Sequence, residues 1–162
     1  MKCGNKPSLL RAVALLVLLA PAAAQAQQVR VNKLVNVAFG TIANFTTDQT
    51  IAQNICVFTT PLGTRYEVAA TGNGTGGAFT LASGANTLAY EVQWAATSGQ
   101  TTGTTLNPGV ALTFQTTAAT ITGCTSGPTT SASLITILRT AAIGSARSGS
   151  YTGVLTLLLR PN

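Results

Sequence analysis

Hydrophobic and polar residues alternate with a period of two along most of the chain, and clusters of Gly, Asn, Ser and Pro interrupt the alternation. Because successive side chains of a β-strand point to opposite faces, this pattern indicates strands joined by turns. The segment from Leu88 to Trp94 is the clearest example, since its large apolar and its polar residues fall on opposite faces. Its core-facing residues are predicted to be Leu88, Tyr90, Val92 and Trp94.

Two further segments show the same alternation. Between Arg65 and Ala70 the large apolar residues lie opposite charged ones, and between Gly109 and Gln115 they lie opposite small or polar ones. We therefore expect each segment to form a strand with one buried face. The residues predicted to be buried in these two strands are Tyr66, Val68, Val110, Leu112 and Phe114.

Three less regular segments complete the set of predicted strands. The run Leu134 to Leu138 suits a strand buried on both faces, although Leu134 to Ile143 could also form a short helix. Val29 to Ile42 and Tyr151 to Leu159 are predicted to be the first and last strands. About seven or eight short strands separated by turns are typical of a β-sandwich. The sequence therefore predicts an all-β domain.

The amino terminus has the organisation of a secretory signal peptide. Basic residues precede the apolar run Ala12 to Ala20, and Ala24-Gln25-Ala26 offers the small residues of a cleavage site. The apolar run is shorter than the ~20 residues of a transmembrane helix, which disfavours a membrane anchor. We expect cleavage after residue 26 and export of residues 27–162 as a single domain without a transmembrane segment.

Charge and cysteine usage fit an exported protein that does not bind nucleic acid. Without the signal peptide six basic residues remain, scattered singly rather than gathered in a patch with aromatic residues. Cys56 and Cys124 are the two cysteines that remain, in a compartment where thiols are oxidised. A disulfide between them is one expectation, and two unpaired buried thiols are the other.

Residues for enzyme chemistry are scarce. The chain has no histidine, and its three acidic residues, Asp48, Glu67 and Glu91, are far apart in sequence. Glu67 and Glu91 fall on the polar faces of predicted strands, so we interpret them as solvated charges rather than a catalytic pair. The cysteine spacing does not suit a zinc site. The sequence predicts a structural or binding protein, not an enzyme, with no cofactor and no metal.

The order of several short motifs resembles the spore coat protein U domain family, the subunit type of archaic chaperone-usher pili. The motifs, in chain order, are Phe39-Gly40, Cys56, Pro61, Tyr66-Glu67-Val68, Leu88-Ala89-Tyr90 and Ser148-Gly149-Ser150-Tyr151-Thr152-Gly153. The resemblance extends from about Val35 to Leu159. We also expect Phe39, which closes the first strand, to lie in the core.

The resemblance implies an immunoglobulin-like sandwich that lacks one strand, which a periplasmic chaperone and then a neighbouring pilus subunit supply in trans. An outer-membrane usher is a further implied partner, and a surface fibre that supports adhesion or biofilm formation is the implied outcome. The last predicted strand suits this role because it is apolar on both faces, although another internal strand could cover its edge. The residues expected to pair with a partner strand are Tyr151, Val154, Leu155, Leu157, Leu158 and Leu159.

Three features depart from the family pattern. No cysteine lies ahead of the first motif, so Cys56 would have to bond Cys124. Only Gln27 to Ala38 precedes that motif, one strand's length at ~3.3 Å per residue, which favours a subunit that receives a strand without donating one. Pro161 has no N–H, so pairing along the last strand should stop at Arg160.

An autonomous secreted binding module is the alternative function. Such a protein would have a complete β-sandwich and would recognise a glycan or a protein through its Gly- and Thr-rich loops. The stability of the monomer without a chaperone would separate this alternative from a pilus subunit.

Overall fold

Antiparallel β-strands dominate the computed structural model, which describes residues 26–162. The predicted signal peptide, residues 1–26, lies outside the described residues except for Ala26. No helix within residues 26–162 has the length and apolarity needed to cross a membrane. The elements are β1 (Gln28–Asn32), β2 (Gln49–Thr60), β3 (Tyr66–Gly72), β4 (Thr80–Ser83), β5 (Asn86–Ala89), β6 (Glu91–Ala95), β7 (Thr104–Thr105), β8 (Leu112–Gln115), β9 (Ala132–Leu138), α1 (Thr140–Ser145) and β10 (Leu155–Pro161), with 3₁₀ turns at Thr75–Gly77 and Thr122–Cys124.

The strands form two main sheets and one hairpin. The five-stranded sheet has the order β1-β2-β9-β6-β7, the three-stranded sheet has the order β10-β3-β8, and β4 pairs with β5. β9 lies at the centre of the larger sheet, and all seven of its residues are buried. This confirms the prediction of a strand rather than a helix. β10, in contrast, lies at the edge of the smaller sheet.

The two sheets pack face to face around one main core. Val57 of β2 and Leu134 of β9 enter it from the larger sheet, and Val68 of β3 enters it from the smaller one. The rings of Tyr66 and Trp94 meet edge to face with their centroids 6.3 Å apart. The predicted core residues that are buried are Tyr66, Val68, Leu88, Tyr90, Val92 and Trp94. Phe39 and Leu112 are only partly buried, and both pack against this core.

Val110 and Phe114 are not core residues, contrary to the prediction, because their side chains are 58% and 64% exposed. Val110 precedes β8 and ends a tight turn, in which its N–H donates to the carbonyl of Asn107 at 3.0 Å. Gly109 occupies the turn position that requires a positive φ, at 74°. The alternating pattern continues through this turn, so the predicted strand begins too early, at Gly109 instead of Leu112.

A β-bulge accounts for Phe114. Leu112 pairs with Val68 and Gln115 pairs with Tyr66, so three steps along β8 match two steps along β3. One extra residue in a strand reverses the face on which the following side chain lies. Phe114, at a φ of 59°, consequently turns outward, whereas Leu112 stays on the core side.

Two other predicted strands differ in extent. The first was expected over Val29 to Ile42 but ends at Asn32, because Lys33 adopts a φ of 67° that breaks the extended backbone. The segment Leu88 to Trp94 is divided at Tyr90, whose N–H donates to the carbonyl of Phe79 at 2.9 Å. Its first half therefore pairs with β4 as β5, and its second half pairs with β9 as β6.

Cys56 and Cys124 form a disulfide, with their Cα atoms 5.9 Å apart. Cys56 lies in β2, whereas Cys124 lies in a 3₁₀ turn rather than on a strand. Together with Ala119 they form a small buried cluster, against which Phe58 packs, separate from the main core. The bridge therefore ties the segment between β8 and β9 to the larger sheet.

Candidate functional site

β10 has one hydrogen-bonded neighbour within residues 26–162. It pairs with β3 along its whole length, from Leu155 opposite Gly72 to Pro161 opposite Tyr66. β1 lies close to β10 without pairing with it, so the second edge of β10 has no hydrogen-bonded strand in the part of the chain described. This unpaired edge is the most conspicuous gap in the sandwich.

The chain ahead of β10 pairs elsewhere, so the predicted start of the last strand at Tyr151 is wrong. Thr152 exchanges two backbone hydrogen bonds with Ala82 of β4, at 2.7 and 3.0 Å. The N–H of Val154 donates to a side-chain oxygen of Asn73 at 3.2 Å. Tyr151 and Val154 therefore lie outside β10, although both border the same groove.

β10 is apolar on the face towards the core, and its opposite face is mixed, with Leu158 between Thr156 and Arg160. Leu155, Leu157 and Leu159 are partly buried and pack against the main core. On the opposite face Leu158 is 51% exposed, and Val154, just before the strand, is 60% exposed. An apolar edge strand left uncovered is a template for pairing with another chain.

The register shows which backbone groups the unpaired edge offers. The N–H of Asn162 donates to the carbonyl of Arg65 at 2.9 Å, so residue 162 faces β3. By the alternation of an antiparallel ladder, Pro161 and residues 159, 157 and 155 turn their backbone groups the other way. Pairing with β3 accordingly includes Pro161, one residue beyond the predicted stop at Arg160, because the missing N–H would face the unpaired edge.

A large groove borders β10. Its volume is about 1250 Å³, which exceeds the ~300–1,000 Å³ of typical small-molecule pockets. Leu134 and Leu138 of β9 and Leu88 of β5 supply an apolar lining, and Leu155 and Leu157 of β10 line it as well. The size and the apolar walls suit an extended segment with apolar side chains better than a compact polar ligand.

Residues 34–42, called the strap from here on, form another wall of the groove. The chain enters the strap through Lys33, at a φ of 67°, and bends again at Gly40, at a φ of 66°. Phe39 and Ile42 pack against the main core from this segment. The strap therefore runs along the groove as irregular backbone, with one bend just before it and a second bend within it.

The strap is weakly attached to the rest of the domain. Within the described residues its backbone makes one hydrogen bond to the body, from the N–H of Val35 to Oε1 of Gln53 at 3.0 Å. The side chains of Leu34 and Val35 are 45% and 68% exposed. Most of its backbone donors and acceptors therefore have no protein partner among residues 26–162.

Two acidic residues that are distant in sequence meet at Arg139, just after β9. Its guanidinium donates to Asp48 at 2.8 Å and to Glu91 at 2.7 Å. The hydrogen bonds from Arg139 and from the backbone N–H of Thr140 lower the pKa of Asp48. Burial alone would raise the pKa of Glu91, but hydrogen bonds from Gln93, Arg139 and Thr105 outweigh it and lower that pKa. Both carboxylates are therefore ionised at neutral pH and held in ion pairs, which does not suit proton transfer.

The groove includes residues that the periodicity did not single out. Its lining contains the strap and residues 146–153, in addition to β10. Phe39-Gly40, one of the motifs of the family resemblance, marks the bend of the strap and was the available signal for it. The connection of residues 146–153 to the groove depends on the pairing of Thr152 with Ala82, which no local pattern indicates.

Comparison with known proteins adds information about the fold. No protein-family model and no curated protein matches the sequence. One solved structure with a similar fold is a chaperone–tip adhesin complex described as vital for synergistic activation of CFA/I fimbriae biogenesis. The TM-score is 0.52 at 14% sequence identity, and the match covers 84% of this chain and 41% of that chain. This chain thus spans less than half the length of the chain that it matches. The likeness shows that its all-β fold also occurs in a fimbrial chaperone–adhesin complex.

Proposed function

We propose that this protein is a structural subunit of a chaperone-usher surface fibre, and that a strand from another chain docks along β10. The observation that carries the proposal is β10 itself, an edge strand with one unpaired edge, whose apolar face borders a large apolar groove. The docked strand would hydrogen bond to residues 155, 157 and 159 and place alternate apolar side chains in the groove. Strand pairing and groove filling need no catalytic residue.

The opposite edge of the three-stranded sheet is less suited to strand addition. β8 has four residues, and the bulge at Phe114 interrupts its regular spacing. Bulges at sheet edges hinder pairing with a further strand. β10 has seven residues in unbroken register with β3, so its outer edge offers a regular ladder.

The proposed partners are a periplasmic chaperone, an outer-membrane usher and neighbouring pilus subunits. The protein would pass through the periplasm and end in an extracellular fibre that supports adhesion or biofilm formation. The fold shared with a fimbrial chaperone–adhesin complex supports this proposal. The Cys56–Cys124 disulfide supports export, because such bonds persist in oxidising compartments.

The proposal is tested by supplying the missing strand. Residues 27–162 are expressed alone and with a strand of alternating apolar residues fused after Asn162 through a flexible linker. The strand is a copy of residues 28–39 with Lys33 replaced by valine, which completes the alternation of apolar residues, and the control fusion carries the same segment with its valines replaced by serine. A ligand that binds only the folded state stabilises it by about 2.7 kcal/mol when present at 100 times its Kd. We expect the first fusion, but not the control, to raise the Tm and to remain monomeric.

One result would overturn the proposal. If the unfused domain is soluble, monomeric and as stable as the fusion, its sandwich is already complete. The autonomous secreted binding module, which recognises a glycan or a protein, then becomes the better explanation.

A further inference from the structure

The strap lines the same groove that the proposed partner strand would fill. It lines the groove together with β10, and Phe39 and Ile42 pack from it onto the main core. We propose that the strap is a gate, which covers the groove in the free domain and must release Phe39 before a strand docks fully. This inference rests on the proposed function and adds a control of access to the same site.

The bends at Lys33 and Gly40 bound residues 34–39, the part of the strap that moves as a unit. Lys33 holds a φ of 67°, a conformation that is unfavourable for a residue with a side chain, and its ammonium group donates to the carbonyl of Thr129. At Gly40 a Cβ atom would meet no other atom within 4 Å, so conformation rather than space requires glycine there. A change of φ at these two positions would swing residues 34–39 without disturbing β1 or β2.

The attachment of the strap is weak enough to be broken by a docking strand. Lifting residues 34–39 costs the packing of Phe39 and the hydrogen bond between Val35 and Gln53. No strand ladder has to be broken, because the strap pairs with no strand among residues 26–162. Segments with few buried contacts open at low free energy. The fraction of open domains then sets the apparent affinity and the association rate of the partner strand.

Two variants weaken the gate by independent routes. Phe39→Ala removes its main apolar contact, and Gln53→Ala removes the acceptor of its hydrogen bond. Val35→Ala is the matched control on the strap, because that side chain is 68% exposed. Gln53→Glu is the matched control in the body, because it keeps an acceptor oxygen at the same place.

The measurement is the association rate of a fluorescent synthetic peptide with the sequence of residues 28–39, followed by stopped-flow. We expect Phe39→Ala and Gln53→Ala to bind the peptide at least about fivefold faster than the wild type, while both controls bind at the wild-type rate. Association at the wild-type rate in both weakened variants would overturn the gate. If Phe39→Ala fails to fold, as judged by its thermal transition, Gln53→Ala and Gln53→Glu still decide the question.

A second readout separates the gate from the proposed function. If the peptide binds no variant, strand docking fails, and a dye that fluoresces on apolar surfaces then tests the gate alone. Higher dye fluorescence of Phe39→Ala and Gln53→Ala than of their controls would support a gate over the groove. Equal fluorescence of all four variants would show that the strap covers nothing.

Discussion

β9 and β10 are similar in sequence and opposite in environment. Each has seven residues, ASLITIL in β9 and LTLLLRP in β10, and each carries leucine or isoleucine on both faces. β9 lies between β2 and β6 with every residue buried, whereas β10 has one neighbour and alternates between partly buried and exposed residues. Apolar residues on both faces of a strand therefore indicate that both faces are buried in the functional state. They do not indicate whether the same chain or another chain buries them.

The largest expected difference between the two strands comes from a charge on the face turned away from the groove. Ile135→Asp in β9 would bury an unpaired carboxylate, because Ile135 is fully buried. We expect it to cost more than about 4 kcal/mol and to prevent stable folding. Leu158→Asp in β10 should cost less than about 1 kcal/mol, because that side chain is half exposed. Urea unfolding of both variants measures the difference.

Thr156→Asp, on the same exposed face of β10, is the control for the effect of added charge alone. A loss from Leu158→Asp as large as that from Ile135→Asp would mean that the chain itself covers the outer face of β10. The comparison between the two strands would then lose its basis.

Removal of the disulfide should cause the next largest loss of stability, and this loss should destabilise the sheet that contains β9 more than β10. The bond between Cys56 and Cys124 closes a loop with a sequence separation of 68 residues. In the chain-entropy model a bridge of this kind contributes roughly 4 kcal/mol. We expect Cys56→Ala combined with Cys124→Ala to lose about that amount, and to speed hydrogen exchange in β2 and β9 more than in β10. Reduction of the wild type should give the same loss and should leave the double variant unchanged.

A change of intermediate size involves Tyr66, which pairs with the end of β10 and contacts Trp94. Burial raises the pKa of Tyr66 from its usual value near 10 to about 12. The folded state favours the neutral phenol, so its contribution is complete below pH 10 and is lost as the pH rises towards 12. At 1.36 kcal/mol per pKa unit, the loss approaches about 3 kcal/mol.

Tyr66→Phe is the control for this alkaline loss, since it keeps the ring and removes the ionisable group. We expect the stability of the variant to fall less steeply than that of the wild type between pH 10 and 12, as measured by denaturant unfolding. Parallel profiles for the two proteins would contradict a buried neutral phenol between the sheets.

The smallest expected effect concerns the ion pairs on the two sides of the sandwich. Arg139→Gln breaks the contacts of Asp48 and Glu91 in the larger sheet, whereas Arg160→Gln breaks one contact between β10 and β3. Because the pKa values of Asp48 and Glu91 are lowered in the folded state, the Arg139 contribution is present at neutral pH. It should disappear as the pH falls below about 4, when both carboxylates become protonated.

Thermal melts at pH 7 and pH 3 measure the two arginine variants. We expect Arg139→Gln to lower the Tm slightly at pH 7 and not at pH 3, and Arg160→Gln to change it hardly at all, because exposed pairs contribute little. An equal effect of Arg139→Gln at both pH values would show that its packing, not its charge, matters.

Much of the all-β architecture could be predicted from periodicity, because burial of one strand face leaves a direct mark in the sequence. Val68, Val92 and Trp94 lie in the core for that reason. Ile135 and Ile137 marked a strand buried on both faces, as found in β9. The pairing of β9 with β2 and β6 depends on contacts between distant segments and leaves no local signal.

The errors arise where one residue changes the backbone geometry. Phe114 continues the alternation of its segment, but a bulge reverses its face. Lys33 continues the first strand in pattern, yet its positive φ ends the strand and begins the strap. Neither residue is a glycine, so nothing in the residue types announces the change. The strap was missed as a wall of the groove for the same reason, since it was predicted to be part of a regular strand.

Pro161 has a consequence for the alignment of any strand that docks on β10. Its missing N–H faces the unpaired edge, so a docked strand gains no bond to that group by sliding towards Asn162. A slide of one residue would also turn the apolar side chains of that strand away from the groove. The carboxyl end of β10 thus offers one hydrogen bond fewer to a strand in a shifted register. In an assembly built by such docking, this favours attachment of every copy to its neighbour at the same height.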